Sequence, residues 1–540
     1  MSYALSTRFQ IDATGRPIPT HGMDAAARYY RAHNLTEAER CCRELIEHDP
    51  RHFDALHLLG VVHLDREQFA HAITWLARAS QERPDDAQVN YHLGTAQLGL
   101  KLYDQAETTL QRALAARPDD AGTRNNLGNA LAGNRKHAAA IECFQQVQRL
   151  APGHAASHYN MGRALAALDR LDDAVASFQA ALVNAPVETE PGRLADIHAA
   201  LGQAFVGLGR YAEARAECHA INATDPAVAE WNDSLVLLLL GQYKDGWPKY
   251  EGRWQVKDHD PPRAGARVPT LTEVAAKRVL LIAEQGHGDM IQFARYAPLL
   301  AAHGAKVSVQ TYIELKTLMQ TLEHVESVVA PTEPEPAADI VTPLLSLPLM
   351  FGTDLATIPS QVPYLHAPRE RLVAWQQRLG APRRRRIGLA WWGSQHIAKR
   401  SFSIETLLPI LSTPNAEFHA LQKEIPPEHR EFMAAHPTLI DHSADLADFA
   451  DTAALISQLD LVVTIDTAVA HLAGALGKPV WIMLQHNADW RWLLDRTDSP
   501  WYPTARLFRQ QQAGDWKGVV SSVARALRPT VKRPQARVRK

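Results

Sequence analysis

Glycine returns at a fixed interval through the first half of this chain. Gly60, Gly94, Gly128 and Gly162 are each 34 residues apart, and Gly202 follows after 40. Pro50, Pro84, Pro118, Pro152 and Pro186 keep the same 34-residue step, and Pro226 again follows after 40. The six extra residues therefore fall between Pro186 and Gly202. Twelve positions after each glycine stands an alanine: Ala72, Ala106, Ala140, Ala174 and Ala214. Four positions further on comes Leu76, Leu110, Phe144, Phe178 or Cys218. Small residues at the glycine and alanine positions let two short helices approach closely. The bulky side chain fills the space left, and proline ends the second helix because it cannot extend the hydrogen-bond ladder. A weaker first copy is in register at Ala26, Ala38, Cys42 and Pro50.

This period resembles the tetratricopeptide repeat, at about six copies over residues 19–228. Residues 230–254, with the run LVLLLLGQYKDGWPKYEGRW, read as a closing helix pair. Stacked repeats of this kind build an α superhelical solenoid with a concave face. Two readings of that face are open: a groove for an extended peptide or partner protein, and a spacer or self-association surface. Asn90, Asn125, Asn126 and Asn160 fall on the first helices, and an asparagine amide can hold a peptide backbone through paired donor and acceptor contacts. Solvated helix faces are the alternative.

The second half has a different makeup. All four cysteines precede residue 219, whereas eleven of the twelve tryptophans follow residue 230. Lys+Arg 57 against Asp+Glu 59 leaves a net charge of −2, so no overall basic field points to nucleic acid. Cys41, Cys42, Cys143 and Cys218 form neither a disulfide framework nor a CxxC site, which fits a reducing, cytoplasmic compartment. The first twenty residues contain no apolar signal core, and no stretch reaches the ~20 apolar residues of a membrane span.

The expected organisation is a flexible N-terminus (1–18), repeats with their closing pair (19–254), a linker (255–276), two α/β lobes (277–368 and 384–527) and a basic tail (528–540). The linker carries Pro261-Pro262 and the triplet Asp258-His259-Asp260, whose spacing alone suggests metal binding but whose proline-rich setting favours solvated charge. No metal and no cofactor is expected. Beyond the linker, strand and helix alternate: RVLLIA (278–283), a helix over 290–302, KVSVQTY (306–312), and a second series opening with RIGLAWW (386–392) and the helix SIETLLPILS, with Ser403 as its N-cap. Such alternation predicts parallel sheets covered on both faces, with ligands held beyond the carboxyl ends of the strands.

Three loops occupy those ends. Asp466-Thr467-Ala468 opens a helix of very small residues directly after the strand DLVVTI, and a helix start presents unpaired amides that suit a phosphate or diphosphate. Thr467 and His471 share one face of it; Asp466 also reads as an ordinary N-cap, and His471 as an ordinary helix histidine. Gly286 and Gly288 shape a tight turn before Asp289, which is either a cap or a base that takes a proton from an attacking hydroxyl. Ser394, His396, Lys399 and Arg400 follow RIGLAWW, where cations could neutralise a leaving diphosphate or simply face solvent. Arg383–Arg386 read as a solvated linker. Aromatic faces at Trp490, Trp492, Trp501 and Tyr502 suit either a sugar ring or hydrophobic packing.

Taken together, EQGHGDMIQFARY, WWGS with KRS, DTAVAHLAGALGKPVW and DWRWLLDRTDSPWYP resemble the heptosyltransferase-like branch of glycosyltransferase family nine, over residues 277–527. The resemblance implies a GT-B fold, two Rossmann-like lobes with a cleft between them, acting without metal on a nucleotide-sugar held mainly by the C-terminal lobe. It places Asp289 on the proposed base and Asp466, Thr467, Ala468 and His471 around the diphosphate, with Ala468 where the family has glycine. Lys399 matches a donor-side lysine. The fusion of repeats to such a domain is similar in architecture to bacterial members with a repeat front half and to protein O-GlcNAc transferases. That similarity implies a protein or peptide acceptor held by the repeats. The other expectations are a repeat scaffold with a degenerate transferase half, and transfer to a glycan or lipopolysaccharide.

Overall fold

The structure is a computed structural model, and it describes residues 22–186, 189–222, 225–256, 265–393 and 400–528. The expectations for residues 1–18, for Asp258, Asp260, Pro261 and Pro262, for Ser394, His396 and Lys399, and for the tail from 529 lie outside the described residues. The chain divides into two compact units, 1–217 and 218–540.

The first unit is all helix. Its paired helices run from Met23–Arg31 and Leu35–His48 through Phe53–Asp65 and Phe69–Glu82, Ala87–Gly99 and Tyr103–Ala116, Ala121–Gly133 and His137–Leu150, to Ala155–Ala167 and Leu171–Val183. Pro191–Gly207 continues the series. The glycine period has a steric cause. A methyl group on Gly94 would lie 2.5 Å from Leu110 Cγ, and on Gly128 or Gly162 it would lie 2.5 or 2.6 Å from the rings of Phe144 or Phe178. Those bulky side chains are buried against the glycine backbone, so only glycine admits them. Gly202 departs from the pattern, since its nearest neighbours are Ala214 O and Glu217 Cβ at 3.5 Å. A second 34-residue register appears only in the structure. His33, Glu67, Lys101, Arg135 and Asp169 occupy the left-handed region, at φ 56–61°, in the turn between the helices of each pair.

The second unit opens with the helices Pro226–Leu239 and Tyr243–Tyr250 and the 3-10 turn Glu251–Gln255. The sequence pattern attaches these to the repeats; in the structure they sit within the α/β unit. Two wholly parallel sheets follow. The first holds β1 (Arg278–Ile282), β2 (Lys306–Gln310), β3 (Val325–Val329) and β4 (Ile340–Pro343), in the order β3-β2-β1-β4. The second holds β5 (Arg385–Ala390), β6 (Ala416–Ala420), β7 (Leu439–Ile440), β8 (Leu461–Ile465), β9 (Val480–Leu484) and β10 (Ala505–Arg509), in the order β10-β9-β8-β5-β6-β7. All five residues of β8 are buried, as an apolar strand covered on both faces requires.

Three local expectations are corrected. The helix read over 290–302 is two helices, His287–Phe293 and Tyr296–Ala302. At the break, the buried Arg295 turns its guanidinium to the carbonyls of Gln292, Pro359 and Trp501. Of the four-arginine run, Arg385 and Arg386 begin β5. Arg386 is only 4% exposed, donating to the carbonyls of Leu379 and Gly380, so it is no solvated linker. Ser403 makes no capping bond; a 3-10 turn, Ile404–Leu407, stands where a helix start was expected.

Candidate functional site

The loops leaving the carboxyl ends of β1 and β8 meet. β1 runs into the turn at Glu284 and Gln285, then the helix His287–Phe293, with Gly286 as N-cap. β8 runs into Asp466 and the helix Ala468–Ala475, whose N-cap is Thr467 and not Asp466. Thr467 itself supplies no side-chain capping bond. The two helix starts touch at Gly288. A methyl there would come 2.9 Å from His471 Cδ2 and 3.5 Å from Ala468 Cα. The imidazole cannot retreat, because Nδ1 bonds to the Tyr502 hydroxyl at 2.9 Å and the ring stacks on Trp492 at 5.4 Å. Gly288→Ala is therefore expected to cost about 1–3 kcal/mol, read by denaturant unfolding. A variant as stable as its parent would mean that the imidazole yields. Burial, with help from Arg491, pushes His471 down to about 3, so its ring is neutral near pH 7.

Around this junction lies a row of alternating charges. Arg400 Nη1 stands 3.5 Å from Asp466 Oδ2, and Arg400 Nη2 stands 3.7 Å from Asp489 Oδ2. Arg491 donates from Nη1 to Asp489 Oδ1 at 2.9 Å, from Nε to Gln292 Oε1 at 2.7 Å, and from Nη2 to Asp289 Oδ1. The other oxygen of Asp289 accepts the Gly286 N–H at 2.9 Å, so this residue is indeed a cap as well as a candidate base. Burial pushes the Asp466 carboxyl up against the pull of Arg400. Partial burial also works against the Asp489 charge, but Arg491 and Arg400 outweigh it and hold that carboxyl below the usual range. Beside this row the β5 loop closes in: a methyl on Gly393 would lie 3.1 Å from Thr467 Cγ2.

The structure thus brings together Gly286, Gly288, Asp289, Arg400, Asp466, Thr467, Ala468 and His471. Sequence reasoning missed Arg491, Asp489 and Gln292. Asp489 and Arg491 were visible only as charges among the tryptophans of DWRW, and apart from each other their partners, Arg400, Asp289 and Gln292, come from distant loops.

The aromatic residues have a different role from the sugar platform considered above. Trp490 is 5% exposed, and Trp492, Trp501 and Tyr502 are fully buried. Trp490 and Trp501 pack with Tyr243, Trp247 and Phe293. The Trp501 indole N–H donates to the Tyr243 hydroxyl at 3.2 Å. The early helices of this unit therefore support the site. Arg253 completes that support, donating to both oxygens of Glu284 at 2.8 and 2.9 Å and to Ser346 Oγ at 2.9 Å.

In the first unit the four asparagines divide. Asn90 is fully buried and holds the Pro84 carbonyl at 2.7 Å and the Ser80 hydroxyl at 3.2 Å. It fastens a turn and has no exposed amide for a groove. Asn160 donates to Asn125 at 3.2 Å and Asn126 to Thr95 at 3.0 Å, which links neighbouring first helices. Among the described residues no group of three or more His, Cys, Asp or Glu is arranged to hold a metal ion. No helix among them is long and apolar enough to cross a membrane.

Paired helices on a 34-residue period, followed by parallel sheets with glycine-bearing loops at their carboxyl ends, define a repeat protein joined to an α/β unit. Comparison with known proteins agrees with that division. Residues 31–113 match the family described as "Anaphase-promoting complex, cyclosome, subunit 3", and residues 125–189 match the tetratricopeptide repeat. Residues 443–484, spanning β8, the helix at Thr467 and β9, match glycosyltransferase family 9 (heptosyltransferase). The chain therefore carries tetratricopeptide repeats and, in its second half, a short stretch that is similar to glycosyltransferase family 9. It is 28% identical over 366 residues to Protein FlbA of Caulobacter vibrioides, covering 60% of each chain. The match thus spans less than two thirds of that relative. Among solved structures, MamA is 25% identical, covering 30% of this chain and 95% of that one, at a TM-score of 0.29. The tetratricopeptide protein TTC0263 of Thermus thermophilus is 25% identical, covering 34% of this chain and 99% of that one, also at 0.29.

Proposed function

We propose that the α/β unit is a glycosyltransferase of GT-B type, which moves a sugar from a nucleotide-sugar to an acceptor. The observation that carries this reading is the meeting at Gly288 of two helix starts, one bearing Asp289 and the other Thr467, Ala468 and His471. The donor diphosphate rests on the amides at the start of the helix Ala468–Ala475, where the N-cap side chain leaves the helix end uncapped. The acceptor O–H attacks the anomeric carbon as the bond from that carbon to the diphosphate oxygen breaks. The nucleoside diphosphate leaves with the electron pair, and Asp289 receives the proton. Arg400 and the helix amides supply the positive charge that the leaving group needs, so the reaction requires no metal in this reading.

The repeats recruit the acceptor, for which a polypeptide is the best fit. The amides of Asn126 and Asn160, on successive first helices, match the neutral donors and acceptors of an extended backbone. Cys41, Cys42 and Cys143 are free thiols, in keeping with a reducing cytoplasm.

A thermal-shift screen against UDP-, GDP-, ADP- and CMP-sugars tests the reading. A donor at 100 times its dissociation constant adds about 2.7 kcal/mol to the unit that binds it. One class of donor is expected to raise the unfolding temperature and to be slowly hydrolysed. If no donor does either, the transferase reading falls and a repeat scaffold takes its place.

A further inference from the structure

We infer that Arg491 is the positioning residue for Asp289, the group that aims the base at the acceptor. This rests on the transferase reading above and goes beyond it, because nothing in the sequence motifs gives Arg491 a role.

Asp289 is fixed at both carboxylate oxygens, by Arg491 at Oδ1 and by the Gly286 N–H at Oδ2. A carboxylate has about four lone-pair sites, so two such contacts set its plane and still leave room for a proton. One contact belongs to Asp289's own loop; the other arrives from the loop after β9, in the second sheet.

Arg491 is in turn immobilised. It is 7% exposed, and its guanidinium lies 4.3 Å from the Trp490 ring centre and 5.8 Å from that of Phe293. Gln292 holds Nε and Asp489 holds Nη1. Gln292 is one helical turn from Asp289, so the same guanidinium grips two neighbouring side chains on one helix face. Burying a guanidinium is costly unless its hydrogen bonds are well made. A rigid planar fork therefore stands where the direction of a single carboxylate matters, a task for which lysine is a poor substitute. A tie that merely joined the two lobes would need neither the stacked ring nor the contact on Asp289.

Arg491→Ala and Arg491→Lys separate the two roles, assayed with the nucleotide-sugar that most stabilises the parent protein. Loss of positioning lowers kcat by about 100-fold or more while the donor dissociation constant stays within about 3-fold. Added guanidinium at tens of millimolar, below denaturing levels, is expected to restore at least about 10-fold of the lost turnover in Arg491→Ala. Methylammonium restores none, and Asp289→Asn gains nothing from either ion. Arg491→Lys keeps the charge without the fork, and is expected to fall between parent and Arg491→Ala. Should Arg491→Ala fail to fold, the kcat of the lysine variant decides. Unchanged kcat, or weakened donor binding with kcat intact, overturns the positioning role and leaves the transferase reading standing. Full turnover in Asp289→Asn, by contrast, removes the base on which both rest.

Discussion

Asp289→Asn is expected to lower sugar transfer by about 10²–10⁴-fold, the range a well-placed general base contributes, while donor affinity stays nearly unchanged. The amide keeps the size of the carboxylate but cannot take the proton of the attacking hydroxyl. It also cannot accept from both Arg491 and Gly286, since one of its two polar atoms is now a donor. In the proposed reading the diphosphate lies on the other helix start, at Thr467 and Ala468, so the donor loses no contact of its own. Turnover and a donor titration on the same preparation give the two numbers. Unchanged turnover would remove Asp289 from the chemistry.

The largest effect on stability is expected far from the reacting atoms. Arg253→Met should destabilise the second unit by about 3–5 kcal/mol, the usual cost of removing one partner from a buried ion pair. Arg253 is fully buried and Glu284 nearly so, and burial pushes the Glu284 carboxyl up even with the guanidinium beside it. Without Arg253, that carboxylate keeps, among the described residues, the Leu345 N–H, at 3.0 Å. Glu284 begins the turn that leads to Gly286 and Asp289, and Gln285 beside it bonds to the Tyr250 hydroxyl at 3.1 Å. The variant should therefore lose turnover along with stability. Replacing both partners, in Arg253→Met with Glu284→Leu, should recover most of the stability, because the more deeply buried carboxylate is then gone, while Glu251, which pairs with Arg253 at 2.7 Å, is partly exposed and keeps the Ser346 hydroxyl. Denaturant unfolding of the three variants checks this. A loss below about 1 kcal/mol in Arg253→Met would show that the pair contributes little beyond a surface ion pair.

These contacts also mark where reading the sequence stops. The repeat was legible because its demand is local and one-dimensional: Gly94 faces Leu110, sixteen residues on, and each copy restates the pair. The left-handed turn at Glu67, Lys101, Arg135 and Asp169 was not legible, since none of these is the glycine that such a backbone favours. The parallel sheets were readable from apolar runs such as LVVTI, and the two glycine-bearing loops from their place after those strands. The break before Tyr296 was hidden, because Arg295 spends its donors on carbonyls as distant as Trp501. The role of Arg491 was hidden for the same reason: beside the neighbouring Asp489, it grips Asp289, 202 residues away. The tryptophans of DWRW read equally as platform or as core, and the choice depended on Tyr243 and Trp247, on a helix read from the sequence as part of a pair closing the repeats. Motifs made of neighbours could be found; the residues that aim them come from other elements.

The claim on which everything else depends is that a diphosphate sits at the start of the helix Ala468–Ala475. A crystal structure of the full chain soaked with the best-binding nucleoside diphosphate tests it directly. The account predicts phosphate oxygens within hydrogen-bonding distance of the backbone N–H groups that follow Thr467, with Arg400 turned toward them. A nucleotide bound elsewhere, with those amides untouched, would contradict it.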